Sequence, residues 1–135
     1  MKKSFILIAM GLIFFTSCKK EPVKNTLPTP VESRNIQFGL YTDQDFSTNN
    51  TNITFTLSIK NASGQTLWDS VFAPMAIRNI PAPAHKITVD KAVPKDDGSL
   101  LKIGFYYTID GVGSSWYLDS CRPDQKNKAV IFNFR

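Results

Sequence analysis

The stretch Asn52-Ile53-Thr54-Phe55-Thr56-Leu57-Ser58-Ile59-Lys60 decides the fold class. Ile53, Phe55, Leu57 and Ile59 alternate with Thr54, Thr56, Ser58 and Lys60. A period of two with β-branched threonines on the wet side is the pattern of a strand buried on one face. Asn61-Ala62-Ser63-Gly64 reads as a turn. A second strand is expected from about Gln65 to Ala73, and a short even loop puts Trp68 and Phe72 on the face of Ile53 to Ile59.

Working outward, Leu100 to Ile109 alternates in the same way, with Leu101, Ile103, Phe105, Tyr107 and Ile109 inward. The next strand is Ser115 to Cys121. A four-residue loop, Asp110-Gly111-Val112-Gly113, sets Phe105 opposite Leu118 and Tyr107 opposite Trp116. The same register sets Tyr106 opposite Tyr117 and Gly104 opposite Asp119 on the outer face, with Cys121 also outward.

Weaker strands complete the set. Arg34 to Tyr41 carries Ile36, Phe38 and Leu40 inward, His85 to Val93 carries Ile87 and Val89, and Ala129 to Phe134 carries Val130, Phe132 and Phe134. Asp96-Asp97-Gly98-Ser99 is a turn signal. Pro74, Pro81 and Pro83 confine Met75 to Ile80 to a short turn or strand. Ile80-Pro81-Ala82-Pro83 reads as a crossover between sheets or an edge, since proline does not sit in a central strand. No window has a helical period. Seven strands over about a hundred residues predict an all-β fold, an antiparallel β-sandwich of immunoglobulin-like or transthyretin-like architecture.

The bulk composition agrees. At 135 residues the chain holds one domain, and 42% hydrophobic with 20% charged residues is a globular balance. The net charge is +5, but from Arg34 onward eleven basic residues face nine acidic ones, scattered and not striped. That argues against a nucleic-acid partner.

The N-terminus reads as an address. Lys2 and Lys3 precede an apolar run from Phe5 to Phe15. Eleven residues have the length of a secretory h-region and fall short of the roughly twenty that span a bilayer. Phe15-Thr16-Ser17-Cys18 follows, and it resembles the lipobox of bacterial lipoproteins, with Phe15 where leucine is usual. The resemblance implies diacylglyceryl transfer to the Cys18 thiol, cleavage before Cys18 and acylation of the new amine. Two or three acyl chains anchor stably where one does not. Lys19, not Asp, follows the cysteine, which in lipoproteins implies passage to the outer membrane, in either the periplasmic or the surface leaflet.

Residues 19–33, KKEPVKNTLPTPVES, carry three prolines and no period, and read as a tether reaching up to about 45 Å if extended. The expected organisation is a lipoprotein signal peptide over 1–17, lipidated Cys18 with a flexible tether over 18–33, and the sandwich over 34–135. As a whole the chain resembles the small lipoproteins of Gram-negative bacteria that carry one sandwich domain. That resemblance implies no activity.

Candidate sites are few. Tyr106 and Tyr117, side by side on the solvent face with Asp119 nearby, form either a platform that stacks a sugar ring or anchors a partner, or a pair that only stiffens the sheet. Asp43-Gln44-Asp45-Phe46-Ser47 begins like a calcium loop, but Thr48 and Thr54 stand where the sharp-turn glycine and the bidentate glutamate are required. No metal and no cofactor is expected. Cys121 is the odd cysteine once Cys18 is lipidated, or its disulfide partner if Cys18 is not. His85 is the lone histidine. Without paired catalytic groups, a metal cluster or a phosphate loop, the chain reads as no enzyme. The expected role is a lipid-anchored binding or accessory module of the cell envelope for a protein or envelope partner. The alternatives are a glycan-binding module using the tyrosine pair, or a small periplasmic hydrolase.

Overall fold

The computed structural model describes residues 32–94 and 99–135. The expected signal peptide, Cys18, the expected tether up to residue 31 and most of the expected turn at 96–99 lie outside the described residues.

Among the described residues eight strands form two sheets: β1 (Ser33–Tyr41), β2 (Asn52–Lys60), β3 (Thr66–Val71), β4 (Met75–Ala76), β5 (Ile87–Pro94), β6 (Leu101–Ile109), β7 (Gly113–Cys121) and β8 (Asn127–Asn133). One sheet runs β5-β1-β8. The other runs β3-β2-β6-β7, with the two-residue β4 also paired to β2. The fold is an all-β sandwich, with seven full strands and a fragment. Alternation in β2 does what its sequence dictates: Ile53, Phe55, Leu57 and Ile59 are fully buried against Ile36, Phe38 and Leu40 of β1 and Val130 of β8. Phe38 meets Trp68 at 5.8 Å and Phe105 at 5.5 Å across the two layers. Trp68 pairs with Ile59, on the inner face as its parity requires.

The Ile80–Pro83 segment carries the chain from one sheet to the other. A single 3₁₀ turn, Ile77–Asn79, buries Ile77, and the Pro81 carbonyl accepts from the Thr42 amide at 2.9 Å.

Not every pairing is antiparallel. β1 pairs antiparallel with β5 but parallel with β8. A parallel pair needs a long crossover between its strands, and the run from β2 to β7 supplies it. No residue pattern within β1 or β8 encodes that direction.

The second difference lies in the β6–β7 hairpin. Three residues, not four, separate its strands. The Val112 amide closes a turn onto the Ile109 carbonyl at 3.1 Å, with Gly111 at φ +72° in the third position, which favours glycine. Gly113, at φ +134°, then pairs with Ile109 and opens β7. One residue fewer in the loop shifts every partner by one. Tyr106 therefore faces Trp116, Phe105 faces Tyr117, Gly104 faces Leu118 and Ile103 faces Asp119. A one-residue slip exchanges the two faces of a strand. Tyr117, Asp119 and Cys121 turn inward, and Trp116 and Leu118 turn to solvent.

Both open sides of the sandwich are closed by a lysine pointing inward from an edge strand. Lys91 of β5 lies over the Trp68 ring, 5.5 Å from its centroid, and Lys128 of β8 reaches Asp119 of β7 at 2.8 Å. Inward charges on edge strands oppose edge-to-edge association.

Candidate functional site

The outer face of the larger sheet carries the unusual surface. Across it, Val71, Thr56, Tyr106 and Trp116 form one row, and Asp69, Ser58, Gly104 and Leu118 form the next. Thr54 and Thr108 pair in the row before, with Ser114 beyond Thr108. Trp116 is 64% exposed and Leu118 51%. Large apolar side chains clustered on an open sheet face mark an interaction surface more often than scattered ones do.

The surface is shaped by an absence. Gly104 has no side chain, and Leu118 from the neighbouring strand lies over it with the Tyr106 ring alongside. Beside Trp116 is a shallow depression of about 190 Å³ lined by Thr54, Thr56, Tyr106, Thr108, Ser114 and Trp116. The hydroxyls of Thr108 and Ser114 stand 2.7 Å apart. Lys60 places its ammonium 5.1 Å from the Tyr106 ring centroid, covering one side of that ring.

The expected tyrosine pair does not form. Tyr106 remains on the outer face, but Tyr117 points inward at the open edge of the sandwich, still 37% exposed, and stacks on Phe132 at 5.2 Å and an interplanar angle of 14°. Asp119 is drawn inward with it. Burial opposes its charge, but a hydrogen bond from Lys128, another from the Ser120 amide and attraction to Lys128 together hold the carboxyl below its ordinary value. Of the three candidate ligand-binding residues, only Tyr106 faces the depression. Trp116 takes the place expected of Tyr117. The missed signal was the order of β7: Trp116 and Leu118 alternate with Ser115 and Asp119, so its more apolar face is the one turned to water.

The other candidates are structural. The Asp43 carboxylate accepts from Asn133 at 2.8 Å, Gln44 at 3.0 Å and Arg135 at 3.1 Å. Asp45 accepts from the Ser47 amide at 3.0 Å. Their loop is pinned by Phe46 against Phe134 and by the buried Thr42 hydroxyl, which donates to the Phe134 carbonyl at 2.7 Å. Among the described residues no group of three or more acidic, His or Cys side chains is placed to hold a metal ion.

Cys121 is buried, not outward. Burial pushes its thiol up, against the pull of Arg34 and Lys128. His85 sits exposed in the turn Pro83–His85.

A second depression, about 260 Å³, lies on the outer face of the smaller sheet between Asn35, Gln37, Asp90, Asn127, Lys128 and Ala129. Its polar groups are largely spent on each other: Asn35 donates to Asn127 at 3.1 Å and Gln37 to Asp90 at 3.0 Å.

No family model matches the chain, and no curated protein or solved structure does either. The class that fold and surface define is an all-β sandwich with an aromatic, hydroxyl-lined sheet face. Among the described residues no helix is long and apolar enough to cross a membrane.

Proposed function

We propose that the protein is a lipid-anchored, non-catalytic binding module of the bacterial envelope. It is held at the outer membrane through acyl chains on Cys18, and it presents the outer face of β2, β6 and β7 to a partner. The single observation that carries the binding role is Trp116, 64% exposed on the outer face of edge strand β7, where a solvated strand would place a polar residue. The anchor is supported by Phe15-Thr16-Ser17-Cys18 directly after an eleven-residue apolar run. The tether gives the domain reach without fixing its orientation.

Two measurements test the reading. Radiolabelled palmitate is expected to enter the chain, and Cys18→Ala is expected to release it from the membrane fraction. A photo-crosslinking amino acid at position 116 is expected to trap a discrete partner in cells, whereas one at Gln37, on the opposite outer face, traps none. No label and unchanged fractionation overturn the anchor. Equal trapping, or none, from both positions overturns the binding face.

A further inference from the structure

We propose that the depression beside Trp116 is a subsite for a pyranose ring of a neutral glycan. The inference rests on the binding-module reading and names the ligand class of that same face. A pyranose has C–H groups on its faces and hydroxyls around its rim, so its receptor needs an aromatic plane bordered by short groups that both donate and accept. The site has both. Trp116 offers an exposed indole, and Thr54, Thr56, Thr108 and Ser114 border it. Each hydroxyl carries one donor and two acceptor lone pairs. The Thr108–Ser114 contact uses one donor and one acceptor, and leaves the second proton and the remaining lone pairs for a ligand.

The charge pattern favours a neutral ligand. Among the described residues no charged side chain lines the depression. Lys60, in the same face, is turned onto the Tyr106 ring at 5.1 Å. A protein partner fits less well. A stable protein interface buries about 800 Å² per partner around a dry apolar centre. Here Thr56 separates Val71 from Tyr106 and Trp116, and the hydroxyls of Thr108 and Ser114 bound the remaining apolar cluster. The inward Asp119, Lys128 and Lys91 also oppose a second copy adding along a sheet edge.

The test uses the full-length lipoprotein in detergent micelles. It is titrated with neutral gluco- and manno-oligosaccharides of two to six units, and with alginate as an acidic polysaccharide. Binding of at least one neutral series is expected, little changed between low and high salt. Trp116→Ala is expected to weaken it by about thirtyfold or more, as for an aromatic at the centre of a site. Thr108→Val is expected to weaken it by about three- to tenfold, as for one lost hydrogen bond. Trp116→Phe, which keeps a ring, is expected to retain part of the affinity. Both positions are exposed, and an unchanged unfolding midpoint confirms an intact fold.

Binding of alginate alone, abolished by salt, overturns the proposal and moves the site to Lys60 and Lys102. Neutral binding that survives Trp116→Ala overturns it as well. If no saccharide binds while position 116 still traps a partner in cells, the glycan inference fails and the module reading stands. If neither occurs, both fail.

Discussion

Leu118 lies across Gly104: a Cβ at position 104 would stand 2.5 Å from the Leu118 Cδ2 and 3.1 Å from the Tyr117 carbonyl oxygen. The same device recurs in the smaller sheet, where Ile131 covers Gly39 and a Cβ there would meet its Cδ1 at 2.6 Å. In both places a glycine inside a strand is a seat for a leucine or isoleucine from the next strand. Gly104→Ala forces Leu118 to rotate away and presses on backbone that cannot. The lost conformational freedom of the unfolded chain returns about 0.5–1 kcal/mol, while overpacking costs about 1–3 kcal/mol. The net expectation is a destabilisation of about 1 kcal/mol by urea unfolding. Gly104→Ala combined with Leu118→Ala is expected to cost less than the sum of the two, since the clash is shared. Strict additivity would show that Leu118 does not rest on the glycine.

The Asp119–Lys128 bridge makes stability depend on pH in one direction. Asp119 is held below its ordinary value in the fold, so its charged form is favoured there. Its contribution is present above the unfolded pKa, near 3.8, and is lost as pH falls through the lowered folded value. Wild type is expected to exceed Asp119→Asn in stability by about 1 kcal/mol at neutral pH. The gap should hold while both states are ionised and narrow progressively as the pH falls below 3.8 and on through the lowered folded value. A gap that persists at low pH would mean that the charge of Asp119 contributes nothing.

How far the sequence reaches is clearest from β2 and β7. In β2 every inward position is Ile, Phe or Leu and every outward one is Thr, Ser, Asn or Lys, so one pattern gives element, face and core together. Trp68 and Phe72 follow by parity, since burial of one face leaves a single register open. In β7 the inward set is Ser115, Tyr117, Asp119 and Cys121, and the outward set is Ser114, Trp116, Leu118 and Ser120. Matching polarity between β6 and β7 chooses the wrong partner by one residue. Two facts decide the true register, and both lie outside that pattern. The turn holds Gly111 and Gly113 at positive φ. Lys128, from the other sheet, neutralises an acid turned inward. The candidate site was thus legible as a place, at Tyr106 on the outer face, but not as a set of residues.

Cys121 is expected to behave as a core residue and not as a reagent. Its side chain is fully buried, its sulfur lies 3.7 Å and 3.6 Å from the Arg122 and Gln125 carbonyl oxygens, and burial raises its pKa. A thiolate is the reactive form, so a raised pKa and an enclosed sulfur both slow attack. In a Cys18→Ser chain at pH 8, a disulfide reagent is expected to label Cys121 only as fast as the domain opens, and the rate should rise with urea. Fast labelling of the native protein, independent of urea, would place the thiol at the surface.

The two aromatic neighbours Trp116 and Tyr117 should separate function from stability. Tyr117 is stacked on Phe132, and Phe132 also meets Phe55, Phe105, Tyr107 and Phe134 with ring centroids between 5.4 and 6.5 Å. An aromatic pair contributes about 0.5–1.5 kcal/mol beyond the area it buries. Removing the Tyr117 ring also uncovers the open edge between β7 and β8. Tyr117→Ala is therefore expected to cost about 2 kcal/mol, and Phe132→Ala about 3 kcal/mol or more, near the lower end for buried phenylalanines. Trp116, one residue away but on the outer face, should lie within about 0.5 kcal/mol of wild type when changed to Ala. Chemical unfolding of the three variants reads this directly. If Trp116→Ala were the costly change and Tyr117→Ala the silent one, the strand would be paired one residue over. The sugar-facing residue would then be Tyr117.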